Sequence, residues 1–446
     1  MGSSRTAAVD IVPIGTCRND SLARFLSLRY TERVMILFPD YTHSLVNLVS
    51  SAAGYFGIPC SHPPLAELEE ILKCGRYRNI VLFLFDGLGC SVLEKHSEAS
   101  AFLRKHFVCP ISSVFPPTTT AAVTSVETGL TPIEHGRLGW TVYFPQIDKN
   151  VNLFTNTLKD SKEQAECYHV GNRFIPTETL EQKAALKYTP PQSNPADKTQ
   201  KEPRFYTVSK FGTTKVHSSK QMFDEVYRLC NESGKKYIYG YNEKPDSIMH
   251  ISGTYSLPAK LSVKHINRCV QRFCRRLKQS PAGRDTLVLV TADHGHIPIR
   301  NIELTSFPRL EAMLIRRPSI EPRAVNFFVK PEYLNEFPNV FAECFKTVFP
   351  ASLLPKDKNG RLSECAGQCF PAGNADFILF SKKEILETKL FGSGTEHLSV
   401  HGSLGDYLAA ACSDITLVDS PKSNHFKSHH AGLTADEMLV PLIAVR

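Results

Sequence analysis

The fold of this chain is built around NIVLFLFDGLG, residues 79–89. The apolar run that follows Asn79 predicts a strand that is buried on both faces and ends at Asp86. In open α/β sheets, binding and catalytic residues lie at the carboxyl ends of strands, where the chain enters a loop. Asp86 is therefore predicted to lie at a functional edge of a largely parallel sheet.

A second stretch, FPPTTTAAVTSVETG at residues 115–129, places three threonines behind another predicted strand, residues 108–115. The threonines stand at the start of a predicted helix that closes at Gly129. A carboxylate at a strand end and a hydroxyl at a helix start together predict a metal-activated nucleophile. The structural alternative is a threonine-rich helix cap beside an ordinary surface aspartate.

Acid and imidazole side chains recur at later positions, two of them directly after predicted buried strands. They are Asp246 with His250, Asp293 with His294, and the late pair His429-His430. Carboxylate and imidazole together suit zinc, with manganese or iron as alternatives. Two metals about 4 Å apart would clamp the attacking and leaving oxygens of a displacement at phosphorus. Each position also has a plain structural explanation, as a helix cap, a turn histidine or an exposed loop histidine.

Length and composition limit the classes of protein to which this chain can belong. At 446 residues the chain is long enough for roughly two or three domains. Its 42% hydrophobic and 22% charged residues are ordinary for a globular protein, and its net charge of +8 favours anionic substrates or membrane surfaces. No nucleic-acid-binding arm is evident.

The thirteen scattered cysteines predict reduced thiols and a cytoplasmic location, with a Cys365–Cys369 disulfide as the alternative in an oxidising setting.

The N-terminus has no apolar segment of a secretory signal, and no run of 18 apolar residues predicts a transmembrane span. MGSSRT, residues 1–6, fits the short N-myristoylation pattern. This match predicts a lipid anchor at Gly2 and membrane association through it. A chance match is the alternative.

Alternating strands and helices predict an α/β sandwich with a largely parallel central sheet and helices on both faces. One helix, Leu261–Leu277, is amphipathic, with basic residues on its polar face. The predicted organisation has four parts. They are an N-terminal extension (1–36), a catalytic core (37–304, with an insertion at about 141–235), an inserted subdomain (305–395) and the C-terminal part of the core (396–446).

Five segments resemble the signature segments of the type I phosphodiesterase/nucleotide pyrophosphatase family, which belongs to the alkaline phosphatase superfamily. They are FDGLG, FPPTTTAAVTSVETGLTPIEHG, PDSIMH, ADHGH and SHHAGLTADEMLVPLI, in order within residues 37–446. The resemblance implies an alkaline-phosphatase-like sandwich with inserted lid segments. It also implies a two-metal site, with zinc as the expected metal and manganese as the alternative, and a covalent phosphothreonine intermediate.

The family's motifs carry over onto individual residues of this sequence. The family's nucleophile lies ten residues before the glycine that ends its helix, which selects Thr119 over its neighbours. The family's H-G-G-L pattern matches residues 430–433 and selects His430 over His429. The implied ligands of the metal beside the nucleophile are Asp86, Thr119, Asp293 and His294, and those of the other metal are Asp246, His250 and His430.

The chain departs from the family pattern at Trp140, where the nucleotide-cleaving branch carries an asparagine that holds a phosphoryl oxygen. The C-x-P-x-R segment of the sulfatase branch does not occur in the sequence. The expected function is metal-dependent hydrolysis of a phosphodiester or related ester, on a small-molecule or nucleotide-like substrate. The alternatives are a phosphoryl transferase or mutase, and a catalytically silent module that binds membranes or anionic partners.

Overall fold

The computed structural model describes residues 34–188 and 202–446. The predicted myristoylation site at Gly2 and most of the predicted N-terminal extension lie outside these residues. The boundaries of the four predicted parts of the chain stay a prediction.

The described residues form strands in the following order. They are β1 (Met35–Leu37), β2 (Asn79–Phe85), β3 (Phe107–Ser112), β4 (Thr141–Phe144), β5 (Lys149–Asn152), β6 (Thr157–Leu158), β7 (Arg204–Ser209), β8 (Thr214–Lys215), β9 (Lys236–Asn242), β10 (Thr286–Thr291), β11 (Ile297–Pro298), β12 (Arg300–Glu303), β13 (Ser319–Glu321), β14 (Ala324–Phe327), β15 (Thr347–Val348), β16 (Cys369–Pro371), β17 (Phe377–Ser381), β18 (Tyr407–Ala411), β19 (Ile415–Val418), β20 (Ser428–His429) and β21 (Leu439–Val445).

The α-helices of the same residues are mostly short. They are α1 (Leu45–Tyr55), α2 (Ala66–Lys73), α3 (Cys90–His96), α4 (Phe102–Lys105), α5 (Thr119–Thr128), α6 (Pro132–His135), α7 (Val170–Phe174), α8 (Leu180–Tyr188), α9 (Ser219–Asn231), α10 (Asp246–Ser252), α11 (Leu257–Lys278), α12 (Pro308–Ala312), α13 (Phe337–Cys344), α14 (Pro350–Leu353), α15 (Lys382–Glu387), α16 (Val400–Ser403) and α17 (Ala435–Met438). Across the described part of the chain, no helix has both the length and the apolar content needed to span a bilayer.

The central sheet has seven strands in the order β3-β21-β10-β2-β9-β7-β8. The five strands from β10 to β8 are mutually parallel, whereas β21 runs antiparallel to both of its neighbours. Every residue of β2 is buried, as expected for a strand covered on both faces. The main core packs these strands against α1, α5, α9 and α11. The α/β fold with a largely parallel central sheet is therefore confirmed.

A second sheet of eight strands, in the order β15-β17-β18-β14-β13-β4-β5-β6, is mostly antiparallel. It joins β4–β6 to strands that follow much later in the chain, after the whole of the central sheet except β21. Its two faces contribute to two further apolar clusters. Local sequence patterns do not predict this sheet, because its strands are short and their partners lie far apart in sequence.

The segment that carries the threonines differs in detail from the prediction. Strand β3 ends at Ser112 rather than at residue 115, because the next residues leave the ladder and find other partners. Ser113 N donates to Met438 O (2.7 Å), and Phe115 N donates to the Tyr41 hydroxyl (3.1 Å). Helix α5 closes at Gly129 as predicted, and this glycine has φ 72°, the left-handed conformation that favours glycine at a helix end.

A short helix, α6, follows Gly129 and has a capping box between Thr131 and Glu134. A disulfide between Cys365 and Cys369 is absent, since both are free cysteines. Burial raises the pKa of the Cys369 thiol to about 11, which disfavours the reactive thiolate.

Helix α6 ends in His135, a fully buried histidine in its neutral form. Its Nδ1 accepts from Arg137 N (3.1 Å), and its Nε2 lies 3.1 Å from Ser125 Oγ. Burial, and next the charge of Arg137, lower the pKa of His135 to about 3. Its folded pKa lies below its ordinary value, so the neutral form stabilises the fold above about pH 6.5, and this contribution is lost as pH falls.

We therefore expect His135→Gln to flatten the pH dependence of stability between about pH 6.5 and pH 5. For one proton the difference in slope is at most about 1.4 kcal/mol per pH unit. Urea unfolding of both proteins at several pH values, with chelator present throughout, measures it. Parallel slopes for the two proteins would show that His135 is not the titrating group.

Candidate active site

The active-site candidates meet at the carboxyl edge of the central sheet because β10, β2 and β9 are adjacent and parallel. Their ends lead to Asp293, Asp86 and Asp246. The loops are joined directly: Asp246 N donates to Asp86 O (3.0 Å), and Gly87 N donates to Asp293 Oδ1 (3.0 Å). Three carboxylates that are distant in sequence are thereby held at one edge of the sheet.

The first cluster consists of Asp86, Asp293 and His294, all buried, with their ligand atoms within 4.8 Å of one another. His294 Nε2 lies 3.2 Å from Asp86 Oδ1 and 3.5 Å from Asp293 Oδ2. The Thr119 hydroxyl faces this cluster, 3.4 Å from Asp86 Oδ2 and 3.4 Å from His294 Nε2. The structure thus brings together all four residues predicted for the metal beside the nucleophile.

The second cluster is centred on Asp246. His250 follows one helical turn later on α10 and places Nε2 3.3 Å from Asp246 Oδ2. His430 Nε2 lies 3.7 Å from Asp246 Oδ1, and the His430 ring stacks on His294 with centroids 3.6 Å apart. The three residues predicted for the other metal are therefore also close together, and the two clusters adjoin each other.

Backbone carbonyls orient the three predicted histidines. The Nδ1 atom of His250 lies 2.9 Å from Ser428 O, that of His294 lies 2.9 Å from Gly295 O, and that of His430 lies 2.9 Å from Pro117 O. A proton on each Nδ1 would leave Nε2 free as a metal ligand, the arrangement that metal-binding histidines usually have.

His296 is a further member of the second cluster, and the sequence analysis did not select it. Its Nε2 lies 3.1 Å from Asp246 Oδ1, and two groups around Asp246 could hold a metal: Asp246 with His250 and His296, and Asp246 with His294 and His430. The predicted set of Asp246, His250 and His430 is divided between these two groups. The signal was present in ADHGH, where His296 stands two residues after His294. In contrast, His429 belongs to none of the metal-ligand groups of the described residues, although it is buried beside His430.

Burial and charge set the protonation of these groups. Burial alone would lower the pKa of His294, but Asp293 and Asp86 outweigh it and raise the pKa to about 10. Burial, and next the charge of Asp86, raise the pKa of Asp293 well above its usual range. Burial lowers the pKa of His296 to about 4, although Asp246 opposes the shift. The first cluster therefore favours a positive charge between its carboxylates.

The donor set fits divalent metal ions. Among residues 34–188 and 202–446, Asp246 Oδ1, Asp293 Oδ2 and His296 Nε2 are buried polar atoms without a hydrogen-bond partner. His296 Nε2 and Asp246 Oδ1 are close but are not aligned as a hydrogen bond. Such orphaned atoms are costly unless something binds them, and their carboxylate and imidazole chemistry suits zinc.

Thr119 is the first residue of helix α5, and only 7% of its surface is exposed. Its neighbours differ from it in their partners. The Thr118 hydroxyl donates to Glu321 Oε1 (2.6 Å), while Thr120 Oγ1 is buried without a partner within the described part of the chain. Of the three threonines, Thr119 is the one whose hydroxyl faces the first cluster.

Two residues outside the predicted set contact the neighbours of Thr119. Tyr241 donates its hydroxyl to Asp86 Oδ2 (2.5 Å). Glu321 accepts from Thr118 and also from Trp140 N (2.8 Å). The Trp140 ring lies against Phe154, with centroids 5.6 Å apart. The position where the sequence analysis noted a departure from the family pattern is therefore tied through Glu321 to the nucleophile segment.

Comparison with solved structures shows which proteins share this fold. The murine ectonucleotide pyrophosphatase/phosphodiesterase 5 has a TM-score of 0.55 and 14% identity, over 82% of this chain and 87% of its own. An inactive form of it in complex with AMP gives the same values. The human counterpart has a TM-score of 0.53 and 13% identity, with the same coverage. At these identities the likeness establishes the alkaline-phosphatase-like fold.

The search of curated proteins gave no match. The family model of the type I phosphodiesterases/nucleotide pyrophosphatases matches residues 80–351, more than half of the chain. This range contains all the predicted site residues except His430. The resemblance seen in the sequence is thereby confirmed, and the chain belongs to the type I phosphodiesterase/nucleotide pyrophosphatase family as a phosphoric ester hydrolase.

Proposed function

We propose that this protein hydrolyses a phosphodiester or a related phosphate ester in a metal-dependent reaction with Thr119 as the covalent nucleophile. The observation that carries the proposal is the Thr119 hydroxyl, held 3.4 Å from both Asp86 Oδ2 and His294 Nε2 inside a buried ligand cluster. Family and fold already indicate phosphodiesterase or pyrophosphatase activity.

Two divalent cations fit the two clusters, with zinc proposed and manganese as the alternative. Asp86, Asp293 and His294 would hold one beside Thr119, and Asp246, His250 and His430 would hold the other. The cations would supply positive charge that stabilises the phosphoryl oxygens and the leaving oxygen as the reaction proceeds.

The residues of the chain carry the covalent steps. Thr119 Oγ1 attacks phosphorus and gives its proton to solvent, while the bond from phosphorus to the leaving oxygen breaks and that oxygen takes up a proton from solvent. Water then cleaves the bond between phosphorus and Thr119 Oγ1, which restores the hydroxyl. The position of Thr119 at the N-terminus of α5 places the positive end of the helix dipole beside the negative phosphoryl group.

Two other functions use the same fold. A phosphoryl transferase or mutase would pass the group from Thr119 to a second hydroxyl instead of to water. A catalytically silent binding module would have no need for buried, orphaned ligand atoms such as Asp293 Oδ2. A substrate with a labelled phosphoryl group separates hydrolysis from mutase chemistry. Hydrolysis passes the labelled group to water, whereas a mutase passes it to a second position of the substrate.

The proposal is tested by turnover of four substrates by the zinc-loaded and the manganese-loaded protein. They are a bis-aryl phosphodiester, an aryl ester of a nucleotide, a dinucleotide and a simple phosphate monoester. We expect one of the three diesters to be cleaved faster than the monoester, and chelator to abolish turnover. A protein that carries metal and cleaves none of the four contradicts the proposed hydrolysis.

Metal content should depend on pH. We expect about two zinc equivalents per chain at pH 8, because one group of candidate ligands contains Asp86 and the other groups at this site are centred on Asp246. Imidazole binds metal only when its Nε2 is unprotonated, so metal affinity should fall as pH drops. Protons should begin to compete above the ordinary histidine range, because the carboxylates raise the pKa of His294 to about 10. Elemental analysis after dialysis at pH 8, 6.5 and 5 measures this. Less than half an equivalent after zinc supplementation at pH 8, or full retention at pH 5, would contradict imidazole ligation.

A further inference from the structure

Helix α11 has an unusual charge balance. Its 22 residues, LPAKLSVKHINRCVQRFCRRLK, contain seven lysines and arginines and no acidic residue. Its apolar face is buried in the main core through Val263, Ile266, Val270, Phe273 and Leu277. The polar face is therefore a strip of positive charge on the surface of the protein, as the amphipathic pattern predicted.

Most of these cations have no acidic partner. Arg276 pairs with Asp224 (2.8 Å) and lies over the Tyr227 ring. Other surface arginines, such as Arg228 and Arg309, pair with two glutamates each. Within the described residues, six exposed cations of α11 form no ion pair. They are Lys260, Lys264, Arg268, Arg272, Arg275 and Lys278.

A cluster of exposed apolar side chains, here called the rim patch, lies at the N-terminal end of this helix. Its members and their exposed fractions are Ile251 (72%), Tyr255 (49%), Leu257 (66%) and Leu261 (57%). All four fall within eleven residues across the turn between α10 and α11. Single exposed apolar residues are ordinary, but a contiguous exposed group marks an interaction surface.

The rim patch and the cations form one continuous stripe. Leu257, Leu261, Lys264, Arg268 and Arg272 are spaced three or four residues apart, which places them along one side of the helix. An apolar end followed by a basic row is the pattern of helices that lie in a membrane interface, where apolar groups enter the acyl region and cations meet anionic headgroups.

The stripe begins beside the second metal cluster. Ile251 directly follows His250, and Lys427 N donates to His250 O (2.9 Å). Lys427 is exposed and approaches Gly253, in the turn that carries the rim patch. The apolar end of the stripe therefore lies next to the residues that flank His250.

We propose that the rim patch and the basic row of α11, which consists of Lys264, Arg268 and Arg272, dock this protein onto an anionic lipid bilayer. The rim patch inserts its apolar side chains below the headgroups, and the basic row lies on the anionic surface. Docking in this way places the active site at the interface. A nucleic acid would match the cations but would leave the exposed leucine and isoleucine side chains uncovered.

The test is co-sedimentation of the zinc-loaded, full-length protein with vesicles of phosphatidylcholine alone and with vesicles of phosphatidylcholine and phosphatidylserine in equal parts. The protein is made in a host that does not acylate Gly2. We expect binding to the anionic vesicles at about 0.1 M salt and release at about 1 M, where charges are screened within about 3 Å. Arg268→Gln with Arg272→Gln should weaken binding about 30-fold, since each cation near an anionic surface contributes about fivefold.

Leu257→Ser with Leu261→Ser should weaken binding at least about tenfold, because two inserted side chains are lost. Both leucines are exposed, so the fold should tolerate the change. The matched controls lie elsewhere on the surface. They are Leu398→Ser with Ile315→Ser for the apolar pair and Lys73→Gln with Lys383→Gln for the charged pair, and both should bind like the unmodified protein.

Three results would overturn the proposal. One is that the protein does not bind anionic vesicles, or that the arginine and leucine double variants bind them as tightly as their control variants do. Another is tighter binding to a DNA or RNA oligonucleotide that does not depend on Leu257 and Leu261. The third is sedimentation of the unmodified protein as a dimer that the leucine changes dissociate, without vesicle binding. None of these measurements depends on turnover, so they are separate from the test of the proposed function.

Discussion

Replacing Thr119 with alanine is expected to lower kcat by about 10³-fold or more, because the covalent route through its hydroxyl is lost. The hydroxyl faces Asp86 and His294 at the start of α5. The six carboxylate and imidazole ligands remain, so the variant should retain most of its metal. Steady-state kinetics on the best substrate of the panel, together with elemental analysis, measure both effects.

The neighbouring threonines are the matched controls. Thr118→Ala removes a hydrogen bond to Glu321, and Thr120→Ala removes a buried hydroxyl that has no partner in the described part of the chain. Thr118→Ala should cost about 1 kcal/mol of stability through the lost hydrogen bond, and Thr120→Ala about the same through a lost packing methyl group, while both should leave most of the turnover. Thr119→Ser should keep part of the activity, since the oxygen survives. Near-normal turnover by Thr119→Ala, with one of its neighbours essential, would refute the assignment.

Replacing His430 with alanine should have the second largest effect. Its Nε2 points at Asp246 and its Nδ1 at Pro117 O, so it links the second cluster to the segment that carries the nucleophile. We expect loss of about one metal equivalent and a fall in kcat on the order of 10²-fold or more. Zinc titration against a chelating dye, with the kinetics, measures the two effects.

His429 provides the control for His430, since it is adjacent, buried and also an imidazole. Its Nδ1 accepts from His430 N (2.9 Å), and it belongs to strand β20, paired with Ile297. His429→Ala should reduce stability more than metal content, because it supports the loop without reaching the ligand atoms. If His429→Ala loses the metal and His430→Ala retains it, the two histidines have been assigned in the wrong order.

Much of the fold and of the candidate site could be predicted from local patterns. The apolar run of β2 marked a buried strand that ends at Asp86, and Asp246 and Asp293 were recognised as acid residues that follow two later predicted strands. These signals are local because a buried strand and the loop at its end are continuous in sequence. The structure then shows the ligand atoms within reach of one another.

The remaining features depend on contacts that sequence patterns do not contain. Glu321 reaches Thr118 from a strand that follows much later in the chain, and the left-handed Ile320 beside it (φ 74°) has no local signature. The antiparallel second sheet likewise joins β4 to β13, although most of the central sheet lies between them in sequence. His296 was visible in the sequence, but only the structure shows that its Nε2 points at Asp246.

The account rests on a phosphoryl group passing through Thr119, and trapping that group tests it most directly. The zinc-loaded protein is mixed with its best substrate and quenched in acid during turnover, and the peptide that contains residues 115–129 is sequenced by mass spectrometry. We predict a mass shift on Thr119 that equals the transferred phosphoryl group, which for a diester substrate still carries its remaining ester group. The same group on Thr118 or Thr120, or a peptide without it under conditions where turnover is rapid and hydrolysis of the intermediate is the slow step, would contradict this role of Thr119.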